Sequence, residues 1–216
     1  IYICVTMALP NHTKKKPLVP IIIFIVGMII FVWVKLYNQK NIASAEIETR
    51  LRSAAGSLEM IVTDSLIDNA QKNVPVDFVE HESVRSQANK IAEIHHVIYV
   101  YAMIKSGDSA LFVFSSYIES DITGDIVTGY LDNYAEATDV MKRAFESNSP
   151  EVFDKTQDQW GVFQSIYLPR KTKSGTPYLL CADVKVSEVT DYQLRYMVEF
   201  ALSAVFLFLI SLPLFL

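Results

Sequence analysis

Two apolar segments, one near each end of the chain, restrict its possible folds more than any other feature of the sequence. Leu18 to Val34 carries no charge, and Tyr196 to Leu216 carries only Glu199. A helix needs roughly 20 apolar residues to cross a bilayer, and both segments are near that length. The alternative for the first segment is a cleaved signal peptide, but no small-x-small cleavage site follows it. We therefore predict transmembrane helices over residues 18–36 and 196–216.

Lysines before the first apolar segment predict the orientation of the chain. Lys14, Lys15 and Lys16 lie directly N-terminal to this segment, and positively charged flanks remain in the cytoplasm. The sequence thus predicts a cytoplasmic tail over residues 1–17 and a domain outside the cytoplasm over residues 37–195. Because the chain starts with Ile and stops after the second apolar segment, we expect it to be a piece of a longer protein with a further output domain.

The composition of the region between the apolar segments excludes several classes of protein. Cys181 is the only cysteine there, so the region cannot form an internal disulfide and must be held together by its core. It contains no phosphate-binding loop and no basic stripe for nucleic acid. Ser115, Ser116 and Ser165 lack the G-x-S-x-G context of a catalytic serine. We therefore expect neither enzymatic activity nor a nucleic-acid partner.

Apolar periodicity in the same region predicts an α+β domain. Residues spaced three or four apart predict a long amphipathic helix over 41–73, which Val74-Pro75 ends. Two further helices are expected over 83–94 and 132–147. β-branched and aromatic runs predict five strands, over residues 97–104, 110–117, 151–155, 160–169 and 177–186. This order favours an antiparallel sheet with helices packed against it.

Alternation along the predicted strands indicates two sheet faces of different chemistry. One face is aliphatic except for Gln164, and we expect it to pack on the long helix; its members are Ile98, Val100, Ala102, Ile104, Val162, Ile166, Leu168, Leu180, Ala182 and Val184. The other face mixes aromatic, hydroxyl and acidic side chains: Tyr99, Tyr101, Met103, Phe163, Ser165, Tyr167, Leu179, Cys181 and Asp183.

Asp183 is the unusual member of the second face. An unpaired carboxylate in an apolar site costs several kcal/mol or becomes protonated. Its partner is either internal, such as a lysine, an arginine, a tyrosine hydroxyl or a backbone N–H, or it is the amino group of a small ligand. In the second case the tyrosines form the walls of the pocket, since ligand sites are apolar cavities with a few placed polar groups. Residue chemistry alone leaves both alternatives open.

Histidine and acidic residues elsewhere do not predict a metal site. His95 and His96 are adjacent and point in different directions, and His81 is distant in sequence. The acidic residues between the second strand and the third helix favour a solvated loop over a cation site or a surface facing lipid headgroups; these are Glu119, Asp121, Asp125 and Asp132. We expect no metal and no cofactor.

The last predicted strand pair carries a family resemblance. The pattern D-x-W-G-x-F-x-S-x-Y-x-P from Asp158 to Pro169, a glycine-containing turn, and then Y-L-L-C-A-D-V resemble the end of the PAS-like sensor modules called Cache domains. These modules occur outside the membrane in bacterial chemoreceptors, diguanylate cyclases and histidine kinases. The resemblance implies a long N-terminal helix on a five-stranded antiparallel sheet, homodimerisation along that helix, and a small ligand on the opposite sheet face. It also implies location in a bacterial inner (plasma) membrane, with residues 37–195 periplasmic or extracellular.

The resemblance also implies roles for individual residues. Asp183 matches an aspartate of the last strand that holds the amine of a ligand in relatives that bind amines or amino acids. Trp160, Tyr167 and Tyr101 match pocket aromatics. Tyr99 and Ser165 share the same predicted sheet face and complete the candidate site.

The lack of a matching arginine leaves a second interpretation open. An arginine for a ligand carboxylate has no clear match in the sequence, although Arg85, Arg143 and Arg170 are available. The alternative to a metabolite sensor is a membrane-anchored interaction module that senses a partner protein, a lipid or a divalent cation without a small-molecule pocket.

Overall fold

A computed structural model describes residues 18–211 of the chain. The tail predicted over residues 1–17, and residues 212–216 of the second apolar segment, lie outside this range. The chain divides into two compact units. Among the described residues, one unit contains residues 18–38 and 196–211, and the other is Gln39–Arg195.

The described part of the first unit is helical. It contains the first half of α1 (Leu18–Ser57) and most of α6 (Val186–Ser211). The rings of Phe31 and Phe200 are paired there, with their centroids 5.6 Å apart. Within residues 18–211, no helix has the length and the apolar character needed to cross a membrane.

The second unit is built on a five-stranded antiparallel sheet, which confirms the predicted α+β fold class. The strand order is β2-β1-β5-β4-β3. The strands are β1 (Tyr99–Ser106), β2 (Ser109–Ser115), β3 (Val152–Asp158), β4 (Gly161–Lys171) and β5 (Pro177–Lys185). β5 lies in the centre of the sheet, and seven of its nine residues are buried, because both of its faces are covered.

The aliphatic sheet face packs against helices, as the alternation predicts. Helix residues Ile47, Leu51, Ala55 and Leu58 share one buried cluster with strand residues of this face; the strand members are Val100, Ala102, Ile104, Ile166, Leu168, Leu180, Ala182 and Val184. Two expected members differ. Val162 is 46% exposed near the start of β4, and Ile98, which precedes β1, packs with the cluster on the other face.

The long helix predicted over residues 41–73 is wrong, because the chain breaks it into three pieces. α1 ends at Ser57, a 3-10 turn follows over Leu58–Met60, and α2 runs over Asp64–Gln71. Thr63 is extended (φ −106°, ψ 150°), and its hydroxyl accepts a hydrogen bond from the Leu66 N–H. A residue that caps a new helix in this way cannot continue the old one.

The helix predicted over residues 132–147 is also mostly wrong. Only Asp139–Ala144 forms a helix (α5), which begins where the Thr138 hydroxyl accepts the Met141 N–H. The residues before it pair with β2 instead: Tyr134 N–H donates to Ala110 O at 2.9 Å, and Phe112 N–H donates to Asp132 O at 3.0 Å. Backbone pairing with β2 therefore overrides the helical spacing of the apolar side chains.

Two more helices complete the second unit. α3 (Phe78–His95) is longer than predicted and begins where the Asp77 carboxylate accepts the N–H groups of Val79 and Glu80. α4 (Glu119–Thr123) is a short turn within the stretch predicted to be an acidic loop.

Candidate functional site

A cleft lies on the sheet face opposite the helical layer. Its position follows from strand register, because Asp183 of β5 pairs with Tyr99 of β1 and with Ser165 of β4. Ten residues line the cleft: Tyr99, Tyr101, Phe112, Ser115, Thr128, Tyr134, Asp158, Trp160, Phe163 and Asp183. Six of the ten are aromatic and two are acidic.

The cleft is narrow in this conformation. The empty space among the lining side chains, counted out to its opening to solvent, is about 330 Å³. The centre of a water molecule can occupy only about 20 Å³ of that space, which is room for about one water. A larger guest requires the lining side chains to move apart.

Asp183 is buried, and its carboxylate is only partly satisfied. The residue is 6% exposed. The Tyr101 hydroxyl donates to its Oδ1 at 3.2 Å, and the Ser165 hydroxyl also hydrogen-bonds the carboxylate. A carboxylate offers about four acceptor positions, so these two donors leave acceptor capacity free.

Burial controls the protonation of this carboxyl group. Loss of hydration raises the pKa of Asp183 to about 7, and the negative charges of Asp158 and Asp154 add to the increase. The hydrogen bonds from Ser165 and Tyr101 oppose it. Near neutral pH the group is therefore divided between its neutral and its charged form.

Asp158 is the second acidic residue of the cleft, and it was not predicted. Its Oδ2 accepts the Tyr134 hydroxyl at 2.6 Å, and its Oδ1 accepts the N–H groups of Trp160 and Gly161. It thus has three donors, whereas Asp183 has two. Sequence reasoning used Asp158 only as the first letter of the family pattern. Its place at the tight β3–β4 turn, directly before Trp160, was the signal that could have identified it.

Tyrosine hydroxyls donate to carboxylates throughout this face. Tyr99 donates to Asp121 at 2.9 Å, and Tyr167 donates to Asp154 at 3.4 Å. Burial, together with the neighbouring carboxylates, raises the pKa of Tyr99 well above its usual value. These phenols therefore remain neutral donors at physiological pH.

Aromatic rings form a continuous wall on one side of the cleft. The Phe112 ring is 5.6 Å from Tyr101, 5.4 Å from Tyr134 and 6.4 Å from Trp160. The Trp160 indole N–H donates to Ile126 O at 3.1 Å, which ties the ring to the loop that follows α4. Phe112 and Tyr134 were missed at this site: Phe112 was placed only in a strand, and Tyr134 in a helix.

The structure brings four of the six predicted site residues together in the cleft, namely Asp183, Tyr101, Tyr99 and Trp160. Ser165 and Tyr167 are 0% exposed and do not line the cleft. Ser165 bonds the Asp183 carboxylate and lies 3.2 Å from the Thr156 hydroxyl. Ser165 therefore supports the Asp183 side chain through this hydrogen bond, whereas the Tyr167 hydroxyl donates to Asp154.

None of the three available arginines lines the cleft. Arg85 Nη1 bonds Glu82 at 2.7 Å, and its guanidinium stacks on Tyr117 at 4.6 Å. Arg170 bonds Glu59 at 2.7 Å. Arg143 is exposed on α5.

The histidines singled out from the sequence lie apart from the cleft. His81 Nε2 is 3.2 Å from Val113 O, and His95 Nε2 is 2.9 Å from the Ser57 hydroxyl. His96 ends α3 in a left-handed conformation, with φ 51°. Across the described residues 18–211, no group of three or more histidine, cysteine or acidic side chains is placed to hold a metal ion.

An outer groove adjoins the cleft and shares Phe112, Thr128 and Trp160 with it. Its other lining residues come from the loop after α4 and the β3–β4 turn: Asp125, Ile126, Val127, Asp132, Asn133 and Gln159. Two loop residues, Asp125 (φ 54°) and Leu131 (φ 61°), have left-handed backbones that non-glycine residues rarely adopt. Phe112, Thr128 and Trp160 therefore line both the cleft and the outer groove.

Solved structures that are similar to this chain include two from one chemoreceptor. The ligand-binding domain of the Campylobacter jejuni chemoreceptor Tlp3 in complex with 4-methylisoleucine aligns at 11% identity with a TM-score of 0.45. The sensory domain of the same chemoreceptor with isoleucine bound aligns at 11% identity with a TM-score of 0.36. Each alignment covers 74% of this chain, which spans 62% of the first structure and 63% of the second.

No protein-family model matches the sequence, and no curated protein matches it either.

Proposed function

We propose that the chain is the ligand-sensing extracytoplasmic input region of a transmembrane signalling receptor. In this proposal the apolar segments at 18–36 and 196–216 anchor it in a bacterial inner membrane, and residues 37–195 bind a small metabolite. The region has no catalytic activity of its own and signals as a homodimer. The uncharged run from Leu18 to Val34 supports the anchor, and the two-faced sheet supports the binding role.

The observation that carries the binding role is the buried, half-satisfied carboxylate of Asp183. Burial without a cationic partner makes this group destabilising in its charged form. A protein retains such a group where it serves a function that outweighs the loss of stability. A cationic group of a ligand would use the free acceptor positions and remove the electrostatic penalty.

The lining suggests how a metabolite would be held. Asp183 and Asp158 provide carboxyl groups that accept hydrogen bonds, and the Tyr101, Phe112 and Trp160 rings enclose the apolar part. Since the closed cleft holds about one water, binding would move Trp160 or the loop to which it is bonded. Such a ligand-dependent rearrangement is the minimum that a sensor requires.

Thermal unfolding of the full chain in mild detergent tests this function. We expect at least one compound from a panel of amines, amino acids, organic acids and sugars to raise the midpoint. At 100 times its Kd, a ligand stabilises the folded state by about 2.7 kcal/mol. Asp183→Asn should abolish the shift, whereas Asp108→Asn, in the exposed β1–β2 turn, should retain it. The proposal fails if no compound in the panel shifts the midpoint.

The second candidate is a membrane-anchored interaction module without a small-molecule pocket. The water-sized free space beside Asp183 favours it. In that case the midpoint would respond to a partner protein, to lipid vesicles or to a divalent cation and would ignore every metabolite. The same unfolding assay, with vesicles and Ca²⁺ added separately, distinguishes the two functions.

A further inference from the structure

We propose that the ligand is an amine that lacks a carboxylate, and that the cleft excludes the corresponding α-amino acid. This inference rests on the proposed function, because it specifies the chemical class bound at the same cleft. It follows from the charges that face the cleft, the charges held away from it, and the character of its walls.

The charge that faces the cleft is entirely negative. Among its ten lining residues, Asp158 and Asp183 are acidic, and none is lysine, arginine or histidine. The other polar side-chain atoms are hydroxyls and the Trp160 indole N–H, which donates to Ile126 O. Two of the hydroxyls already donate to the acids: Tyr101 to Asp183 and Tyr134 to Asp158. An ammonium group would therefore find acceptors here, whereas a carboxylate would find no counter-ion.

Basic groups near the cleft are held elsewhere. Arg85 donates to the backbone oxygen of Ser115 at 3.4 Å, its Nη1 is bonded to Glu82, and its guanidinium is stacked on Tyr117. Its Nη2 is buried without a hydrogen-bond partner among the described residues, and Arg85 does not line the cleft. Lys185 lies two positions after Asp183, on the same face of β5. It does not belong to the cleft lining.

A ligand carboxylate in this cleft would be repelled. An α-amino acid places its carboxylate within a few Å of its ammonium, so contact between the ammonium and Asp183 brings two negative charges close together. At a separation of about 5 Å and an effective dielectric constant of about 20, this repulsion corresponds to roughly a hundredfold loss of affinity. Removing the carboxylate removes the penalty and leaves the ammonium contacts intact.

The aromatic wall favours the same ligand class. The rings of Tyr101, Phe112, Tyr134 and Trp160 are neighbours, with centroid separations of 5.4 to 6.4 Å. Aromatic faces attract cations, and ring edges and faces also pack well on hydrocarbon. A short alkyl or aryl chain that carries one ammonium matches both properties.

Matched pairs of compounds test the inference by isothermal titration of the full chain in mild detergent. The probes are 3-methylbutylamine against leucine and 2-phenylethylamine against phenylalanine, with leucinamide as a third arm. We expect at least one amine to bind about a hundredfold more tightly than its amino acid. Leucinamide, whose carboxyl group is neutralised, should bind more tightly than leucine.

Variants separate recognition from loss of folding. Asp183→Asn should weaken binding of the amine by at least about tenfold, and Asp108→Asn should leave it unchanged. Circular dichroism of both variants should match that of the wild type. Should Asp183→Asn unfold, Asp158→Asn provides the second test: it removes the other carboxylate of the cleft, and we expect amine binding to weaken by at least about tenfold.

The outcomes distinguish failure of this inference from failure of the proposed sensor function. If an amino acid binds as tightly as its amine, or more tightly, the inference is overturned and the sensor function stands. The inference is also overturned, and the sensor function stands, if none of these amines binds but a neutral or acidic compound does. If nothing in the wider metabolite panel binds, the sensor function fails, and this inference fails with it.

Discussion

Asp183 connects ligand recognition to the stability of the free domain. An ordinary aspartate ionises far below neutral pH, but burial raises the pKa of Asp183 to about 7. The folded state therefore holds a proton that the unfolded state has already released between about pH 4 and pH 7. Stability falls as pH rises through this range, because unfolding is accompanied by release of that proton. A buried acid thus makes the free domain less stable near neutral pH.

Replacing Asp183 by asparagine should remove this pH dependence. Between about pH 5 and pH 8 we expect the wild type to lose about 2–3 kcal/mol relative to Asp183→Asn. Urea unfolding at several pH values measures the difference between the two curves. His81, whose pKa is lowered by burial, affects both proteins alike and cancels. Parallel curves would show that the carboxyl group is not buried as described.

The same carboxyl group should make amine binding depend on pH. The groups that face it come from every surrounding element: Tyr99 and Tyr101 of β1, Asp154 and Asp158 of β3, Ser165 and Tyr167 of β4, Cys181 of β5, and Tyr134. Burial raises the pKa of the tyrosines and of Cys181, so these groups stay neutral near pH 7. Among the groups whose pKa burial raises, Asp183 has a pKa of about 7, so its charge changes in that range.

Binding of 3-methylbutylamine should tighten about tenfold between pH 6 and pH 8 and then level off. A bound ammonium favours the ionised carboxylate, so below its pKa Asp183 must release a proton when the amine binds. Titration calorimetry in two buffers of different ionisation enthalpy measures that proton directly. Affinity that does not change with pH would assign the contact to Asp158 instead.

The helices and strands differ in how well the local sequence predicts their positions. β1, β4 and β5 followed the prediction because strict alternation of aliphatic with aromatic or polar residues has only one structural explanation. The break at Thr63 could not be anticipated, since the apolar spacing continues from Leu58 to Leu66 with no glycine or proline between them. The cap at Thr63 interrupts the predicted long helix, and tertiary packing keeps Leu58 and Leu66 buried on either side of it.

The candidate site was predicted in part, for similar reasons. Asp183, Tyr99 and Tyr101 belong to strands, so alternation alone placed them on one face. Tyr134 belongs to a segment whose apolar spacing is helical but whose backbone bonds to β2. Pairing between distant segments is not visible in local spacing, so this wall of the cleft required the structure.

α5 offers a test of how its start is determined. The Thr138 hydroxyl accepts the Met141 N–H at 3.0 Å and donates to the Asp154 carboxylate on β3. Thr138→Ala should lower the free energy of unfolding by about 1–2 kcal/mol, because it removes the cap. Thr138→Ser should lower it far less. Equal losses, measured by urea unfolding, would show that the methyl group matters rather than the hydroxyl.

At the scale of the whole molecule, the proposed membrane topology makes Asp108 an accessible reporter. This residue is exposed in the β1–β2 turn, whereas Cys181 is 0% exposed and Cys4 belongs to the predicted cytoplasmic tail. In intact bacteria that express the full chain, a membrane-impermeant maleimide should label Asp108→Cys and leave the parent chain unlabelled. Labelling of the variant only after lysis would place the domain in the cytoplasm.

The backbone pairing outside β2 has a consequence for self-assembly. An uncovered outer strand invites the addition of a strand from another molecule. Here the N–H and C=O groups of Phe112 are taken by Asp132 and Leu131, and Ala110 O is taken by Tyr134. An incoming strand would have to peel away the segment that holds Tyr134, and this would dismantle one wall of the cleft. Growth of aggregates through β2 and occupancy of the cleft should therefore oppose each other.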